Sequence, residues 1–380
     1  MGHSSDPDAR RAGTEATSVA LRRHDARLLV VFASDAYDLE ALLGAINRRS
    51  GGIPLIGCST AGEIATGGPA EASVVVTAIG GDGFSVSTSA ARDVSERLRD
   101  AGAEVAGAVA EVADRPHRVL MLLTDGLAGD QQEIVRGAYG VVGAAVPLVG
   151  GCAGDDLKMR ATSQFLGGEV LKNAIVAAAI GSEAPLGIGV RHGWKKVGQP
   201  MLITRSSGNR VYTIDDQPAL DVYLERLDAP AEARSDPAAF TRFALVHPLG
   251  LSGRRGEPHA RFVGEANFED RSLGCIAEVP QSGMAWFMEG DEDSVMSATD
   301  DACREALSCL DGHPALGMIA FDCIARRGVL GEAGIAAEIQ RVAAHAAGAP
   351  VAGFYTYGEI ARKHGMRGFH NETLVVLAMG

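Results

Sequence analysis

The sequence predicts an α/β fold of two domains, built from three related βαβ units with added antiparallel strands. Three observations predict it. First, one phrase (proline, two apolar residues, glycine, a small polar run, glycine, an acid) is written three times. It reads PLIGCSTAGEI from Pro54, PLVGGCAGDD from Pro147 and PVAGFYTYGEI from Pro350. Second, each phrase follows an apolar run of strand character, a polar stop, and a stretch with apolar residues at three- and four-residue spacing. Third, 380 residues with 46% hydrophobic and 22% charged side chains and a mean hydropathy of +0.07 suffice for two cores.

In chain order, residues 1–26 are polar and carry arginine pairs with no apolar run behind them, so they read as a disordered tail rather than a secretory signal. RLLVVFASD (Arg27 to Asp35) then predicts a strand and YDLEALLGAINRRSGG a helix that leads into the first phrase. HRVLMLLTDG (His117 to Gly126) and DQQEIVRGAYGVVGAA repeat the pattern before the second phrase. ALGMIAFDC (Ala315 to Cys323) and GEAGIAAEIQRVAAHAAG repeat it before the third. Strand, helix, strand at this length is a right-handed unit with parallel strands. Pro54, Pro147 and Pro350 each open a second strand, where a missing N–H is tolerated.

ASVVVTAIGGDGFSVSTSA and AIVAAAIGSEAPLGIGVRHGW read as hairpins turned by glycines, and FHNETLVVLAM as a closing strand. Between the second and third units lies an extra block, about Met201 to Asp311. Within it DDQPALDVYLERL reads as a turn and helix, and DAPAEARSDPAAF as a linker or excursion. The boundary falls near Pro218, which gives domains of 27–218 and 219–380.

Composition excludes some classes of function. A formal charge of −13 argues against a nucleic-acid partner, which needs a basic stripe. No apolar run reaches the ~18–20 residues that span a bilayer, so no membrane association is expected. Six cysteines in a chain this long, with no secretion signal, read as reduced thiols of a cytoplasmic protein.

Ligands of open α/β sheets sit beyond the carboxyl ends of the strands, where each phrase lies. Amide donors, the hydroxyls of Ser59 and Thr60, the phenols of Tyr355 and Tyr357, and the acids Glu63, Asp155 and Glu359 would suit a small zwitterion. The acid would hold the ammonium and the amides the carboxylate. Cys323 ends the first strand of the third unit at the same rim, and Arg326 offers a carboxylate partner beside it. His370 and Asn371 stand between a glycine-rich turn and the last strand, placed either to brace the Tyr357–Glu359 turn or to touch ligand. The bland reading is that the glycines allow tight strand exits and the acids cap turns. GGCAG at Cys152 fits a nucleophile elbow and so a cysteine-dependent hydrolase, but no clean helix follows it. Cys303, Cys309 and His313 lack the spacing of a zinc site and read as packing residues.

PLIGCSTAGEI, VGGCAGDD, FDCIARRGVLG, and above all GFYTYGEIA followed by GFHNETLVVLAM resemble the FIST proteins, a bacterial sensory family with paired N- and C-terminal FIST domains. RHGWKKVG at Arg191 and PALDVYLE at Pro218 extend the resemblance from about Arg27 to Gly380. It implies a non-enzymatic signal-transduction sensor that binds a small, amino-acid-like ligand. No kinase, methyl-accepting or cyclase segment is attached, so the output is expected from a separate partner. It also implies an alternative, a haem-binding nitric-oxide sensor that regulates a histidine kinase or a cyclic-di-GMP enzyme. A noncovalent haem needs an axial ligand, for which His192, His247 and His370 are the candidates, though each also reads as a surface or hydrogen-bonded histidine.

Overall fold

The computed structural model describes residues 1–22, 25–66, 68, 72–252, 259–363 and 368–380. Three units of one plan follow one another. Unit one runs β1 (Gly2–Ser4), α1 (Ala9–Ala20), β2 (Ala26–Ser34), α2 (Leu39–Ser50), β3 (Leu55–Thr60), β4 (Glu63–Ala65) and β5 (Val74–Gly80). Unit two runs β6 (Phe84–Arg92), α3 (Leu98–Ala106), β7 (His117–Thr124), α4 (Gln131–Val142), β8 (Leu148–Cys152), β9 (Gln164–Leu166), β10 (Glu169–Leu171) and β11 (Ala174–Ser182).

Unit three opens with β12 (Leu186–Arg191) and is then interrupted by an inserted domain. The insert holds β13 (Lys195–Ser207), β14 (Arg210–Ile214), β15 (Gln217–Pro218), α5 (Ala219–Arg226), α6 (Pro237–Ala244) and β16 (Leu249–Leu251). It continues with β17 (His259–Arg261), β18 (Val263–Asn267), β19 (Ser272–Cys275) and β20 (Met284–Glu289). Unit three resumes with α7 (Glu292–Ser308), β21 (Gly317–Cys323), α8 (Ile324–His345), β22 (Val351–Thr356), β23 (Glu359–Arg362), β24 (Phe369–His370) and β25 (Leu374–Met379).

The three expected βαβ cores are present. β2 with β3, β7 with β8, and β21 with β22 are parallel pairs in one register, with Leu29 opposite Leu55, Leu120 opposite Leu148 and Met318 opposite Val351. The prolines before the second strands each accept a hydrogen bond from the first, Leu29 N–H to Pro54 O at 2.8 Å, Leu120 to Pro147 at 3.0 Å and Met318 to Pro350 at 3.0 Å. The first glycine of each phrase is explained by the neighbouring strand. A Cβ on Gly57, Gly150 or Gly353 would lie 2.2, 1.9 or 2.0 Å from the carbonyl oxygen of Val31, Leu122 or Ala320.

The strand after each phrase leaves its own unit. β4 of unit one pairs with β22 of unit three, β23 of unit three with β8 of unit two, and β9 of unit two with β3 of unit one. The three sheets, β1-β5-β2-β3-β9-β10, β24-β23-β8-β7-β11-β6 and β12-β25-β21-β22-β4, are therefore variants of one order, closed into a ring by exchange. Phe32 of unit one packs on Phe321 and Phe354 of unit three, at ring separations of 6.3 and 4.6 Å, inside that ring.

Several expectations need correction. Residues 1–22 are not a disordered tail but the first strand and helix of unit one. β1 pairs with β5, and α1 lays Ala12, Gly13, Ala16 and Thr17 against the unit. Residues 23 and 24 of that expected tail lie outside the described residues. The two expected hairpins are connections instead, because β5 and β6, and likewise β11 and β12, lie in different sheets. The excursion DAPAEARSDPAAF contains a 3₁₀ turn (Ala231–Arg234) and α6. The inserted domain spans 195–289 rather than 201–311, since α7 belongs to unit three. It has its own core around Tyr223, Phe240, Leu249, Leu273 and Phe287. Pro218 falls inside that insert, and β12, ahead of it, pairs with β25.

Candidate functional site

The three phrases do meet. Ala61 N–H donates to Tyr355 O (3.0 Å) and Tyr355 N–H to Gly62 O (2.8 Å). Tyr357 N–H donates to Cys152 O (3.2 Å) and Cys152 N–H to Gly358 O (2.8 Å), while Gly154 N–H donates to Ser59 O (3.0 Å). These are one pattern used three times, so the repeated wording encodes a backbone clasp at the centre of the ring. Ser59 adds to it, its hydroxyl donating to Gly154 O and accepting from Ser163 N–H.

The acids serve the same clasp. Glu63 is held by the Thr60 hydroxyl and by the hydroxyl and N–H of Ser73. Glu359 is held by the Thr356 hydroxyl and by the hydroxyl and N–H of Thr373. Burial pushes Glu63 up to about 6 and Glu359 up to about 7, against the pull of those hydrogen bonds. The matching residue in unit two is Gln164, not Asp155, because Gln164 lies opposite Cys58 as Glu359 lies opposite Gly151 and Glu63 opposite Phe354. At the position of Ser73 and Thr373 unit two has Ala174, which offers no hydroxyl, and a neutral amide replaces the acid. Asp155 instead accepts from Met159, Arg160 and Ala161 N–H and from the Tyr357 hydroxyl, closing a loop that unit two alone inserts.

Ser59, Thr60, Glu63, Asp155, Tyr357 and Glu359 thus lie around the clasp, but their hydrogen bonds are spent on one another and on neighbouring residues rather than aimed at a shared crevice. Tyr355 is buried under α8 with Arg327 over its ring at 5.5 Å. Arg326 is not poised at a rim. It is fully buried and donates to Asp322 (2.7 Å), Glu338 (2.5 Å), Thr299 (2.8 Å) and the His192 carbonyl (3.0 Å). Burial and the neighbouring Glu338 push Asp322 well above the usual carboxylate range, against the pull of Arg326. Cys323 is buried, and burial together with Glu359 and Glu372 pushes its thiol well above the usual range.

A cleft among the described residues lies elsewhere, at the joint where the inserted domain leaves and re-enters unit three. It measures about 680 Å³, within the range of small-molecule sites. Its walls come from the end of β12, the turn into β13, β17, the first half of α7, and His370 with Thr373. Arg191, Lys195 and Lys196 stand on the β12–β13 side, Asp293 and Asp301 on α7, and His192, His259 and His370 between them. Lys196 lies over the Trp286 ring at 4.0 Å, and Arg191 pairs with Glu305 at 2.6 Å. His192 Nδ1 accepts from Trp194 N–H at 2.9 Å. His370 donates through Nε2 to Ala361 O at 2.9 Å, which leaves Nδ1 as an acceptor. Burial pushes His370 down to about 4, against that carbonyl and helped by His259, so the ring is neutral.

Of the expected site residues, His370 lines this cleft, as does His192. His247 does not, because its Nδ1 bonds Phe243 O and its ring stacks on Phe243 within the inserted domain. Asn371 is buried directly behind His370. Trp194, Lys195 and Lys196 come from the RHGWKKVG motif, whose residue types alone point to no chemistry. His259, Asp293 and Asp301 carried no signal in the sequence: His259 comes from the insert, and Asp293 and Asp301 from the exposed side of α7, where acids read as a solvated face.

Two consecutive family matches cover the chain, to the FIST N domain over residues 27–217 and to the FIST C domain over residues 219–362. The chain is also similar to an uncharacterized protein of Methanocaldococcus jannaschii, 26% identical over 169 residues, which are 42% of this chain and 33% of that protein. The aligned part thus spans about a third of that relative's length.

Proposed function

From the fact that the chain belongs to the FIST family, whose domains are associated with sensory signal transduction, we propose that it is a non-enzymatic sensor that binds a small amino-acid-like ligand in the cleft. The observation that carries this reading is the distribution of charge there. Lys196 suits a carboxylate and Asp293, on α7, an ammonium, while Lys195 is paired with Asp291 at 3.5 Å and Asp301 with Arg304 at 2.6 Å. The joint position gives such a ligand a means of signalling. A molecule that touches both the inserted domain and unit three changes the free energy of their relative placement, which a separate partner (a histidine kinase or a cyclic-di-GMP enzyme) can read.

Against the hydrolase alternative, Cys152 is wholly buried in the clasp, and burial pushes its thiol far up, the opposite of an activated nucleophile. The test is thermal denaturation with each L-amino acid in turn. A ligand at 100 times its dissociation constant should stabilise the protein by about 2.7 kcal/mol. Lys196→Ala and Asp293→Asn should each reduce that gain. If no amino acid shifts the midpoint, or both variants keep the full shift, the cleft is not the sensor site.

A second reading, haem, is favoured by the three imidazoles and the neutral His370 in the same cleft. His370 or His192 would hold the iron and the lysines the propionates, and haem would supply the metal centre that takes nitric oxide. Protein from haem-replete cells that shows a Soret band lost in His370→Ala or His192→Ala decides for it.

A further inference from the structure

The three units share a backbone feature just before their last strand. Ala72, Asn173 and Glu372 occupy one position and all adopt left-handed φ, +35°, +46° and +59°. The next residue in each case accepts from the end of the first βαβ strand, Ser34 N–H to Ser73 O (3.0 Å), Asp125 to Ala174 O (3.0 Å) and Cys323 to Thr373 O (3.1 Å). The fold therefore asks this position for a left-handed turn and nothing more. Unit one meets the demand with an exposed alanine. Unit two uses asparagine, whose amide is satisfied by Ser95 at 2.9 and 3.0 Å.

Unit three departs from the pattern. Glu372 is 0% exposed and Asn371 1% exposed, and among the described residues neither carboxylate oxygen of Glu372 and neither amide atom of Asn371 has a hydrogen-bond partner. Four unsatisfied buried polar atoms on adjacent residues are costly, and the turn does not require them. The Glu372 carboxylate lies at the seam between the inserted domain and unit three, within electrostatic reach of Tyr223 and Cys275 on one side and Cys323 and Glu359 on the other. None of these four supplies a positive charge; the cation of the neighbourhood is Arg261, which acts on Cys275 and His370 and donates to the carbonyls of Glu278 and Ala260. Burial and Glu359 hold the Glu372 carboxyl well above the usual range in the absence of a cation. The site adjoins the cleft through His370 and Thr373, its chain neighbours, and through Trp194, which lines the cleft and donates through Nε1 to the Glu372 carbonyl at 2.9 Å.

We propose that Asn371 and Glu372 form a recognition site for a primary ammonium group, reached from the cleft past Trp194. The count of atoms favours this chemistry. The three orphan acceptors, Glu372 Oε1 and Oε2 and Asn371 Oδ1, match the three N–H donors of an –NH₃⁺, and the Asn371 amide remains to donate to an acceptor on the same ligand. A metal ion fits less well, because among the described residues no three His, Cys, Asp or Glu are grouped to hold one. The proposal rests on the cleft reading above for the route by which the ligand arrives, and it places the ammonium at Glu372, with Asp293 and Asp301 left to draw the cation into the cleft.

The test is calorimetric and thermal titration of the full chain with the twenty L-amino acids. Any that bind are compared with their N-trimethyl and deaminated analogues. At least one free amine should bind, the analogues lacking N–H donors should not, and Glu372→Gln should weaken binding by about 10- to 100-fold. Glu372→Asn, which installs the residue of unit two, serves as a second variant that the turn already tolerates, and should show the same loss. An absence of amine binding, or undiminished binding of the N-trimethyl form or by Glu372→Gln, overturns the proposal. If Glu372 variants lose the amine while Lys196→Ala and Asp293→Asn keep it, the cleft reading fails and the ammonium site stands.

Discussion

At the residue scale the most informative position is Glu359, because sequence and structure give it different work. The sequence presents an acid after a glycine beside a strand exit, which is equally the signature of a ligand contact and of a turn brace. What separates the two is Thr373, fourteen residues away, whose hydroxyl and N–H close on the carboxylate. The brace has a pH signature. Glu359 is raised from 4.5 to about 7, so the folded protein keeps a proton that the unfolded chain releases. Its contribution to stability is full below about pH 4.5 and is lost as pH rises through 7, at most on the order of 3 kcal/mol over that span. Urea midpoints of the native protein should therefore fall relative to those of Glu359→Gln between pH 4.5 and 8. Parallel curves for the two proteins would remove the titration from Glu359.

At the scale of elements, the repeated phrase made the βαβ cores legible, because each uses ordinary signals: an apolar strand, an amphipathic helix, and proline at the start of the second strand. The glycine of the phrase was legible as a requirement, though not its cause. Gly353 faces the Ala320 carbonyl so closely that a methyl group has no room, and Gly353→Ala should cost about 3 kcal/mol through displacement of β22. Gly140→Ala, on the exposed face of α4 with nothing within 4 Å, should instead stabilise by about 0.5–1 kcal/mol. Chemical denaturation of both variants checks the pair, and equal effects would mean that the packing argument is misplaced. α1 escaped the sequence reading for a related reason. Its buried face is alanine, glycine and threonine, and Gly13 sits so close to the Leu42 carbonyl that a Cβ would lie 2.8 Å from it. Tight packing here is carried by small side chains, and small side chains give no hydropathic stripe. The cleft was illegible for a different reason. His259 joins His370 only after a 95-residue insert (195–289) has folded back on unit three, and Asp293 only through the packing of α7 on β12 and β25, contacts that no local pattern encodes.

At the scale of the whole molecule, exchange decides how the chain can be divided. The matched family regions change over at residues 217–219, yet each side of that point lacks strands that the other supplies. Residues 1–218 contain β8 without β23 and β4 without β22. Residues 219–380 contain β25 without β12. An unpaired edge beside a buried parallel pair leaves a row of backbone groups unsatisfied and apolar faces in water. The clasp is divided as well, because Ala61 and Cys152 lie on one side of the cut and Tyr355, Tyr357 and Gly358 on the other. Neither fragment should therefore fold alone. Expressed separately, 1–218 and 219–380 should show no cooperative thermal transition, while co-expressed they should assemble into a complex that melts as one body. A fragment with its own sharp transition and near-ultraviolet dichroism would show that a single unit can close without its neighbours. The strand exchange would then follow the folding of that unit rather than be required for it.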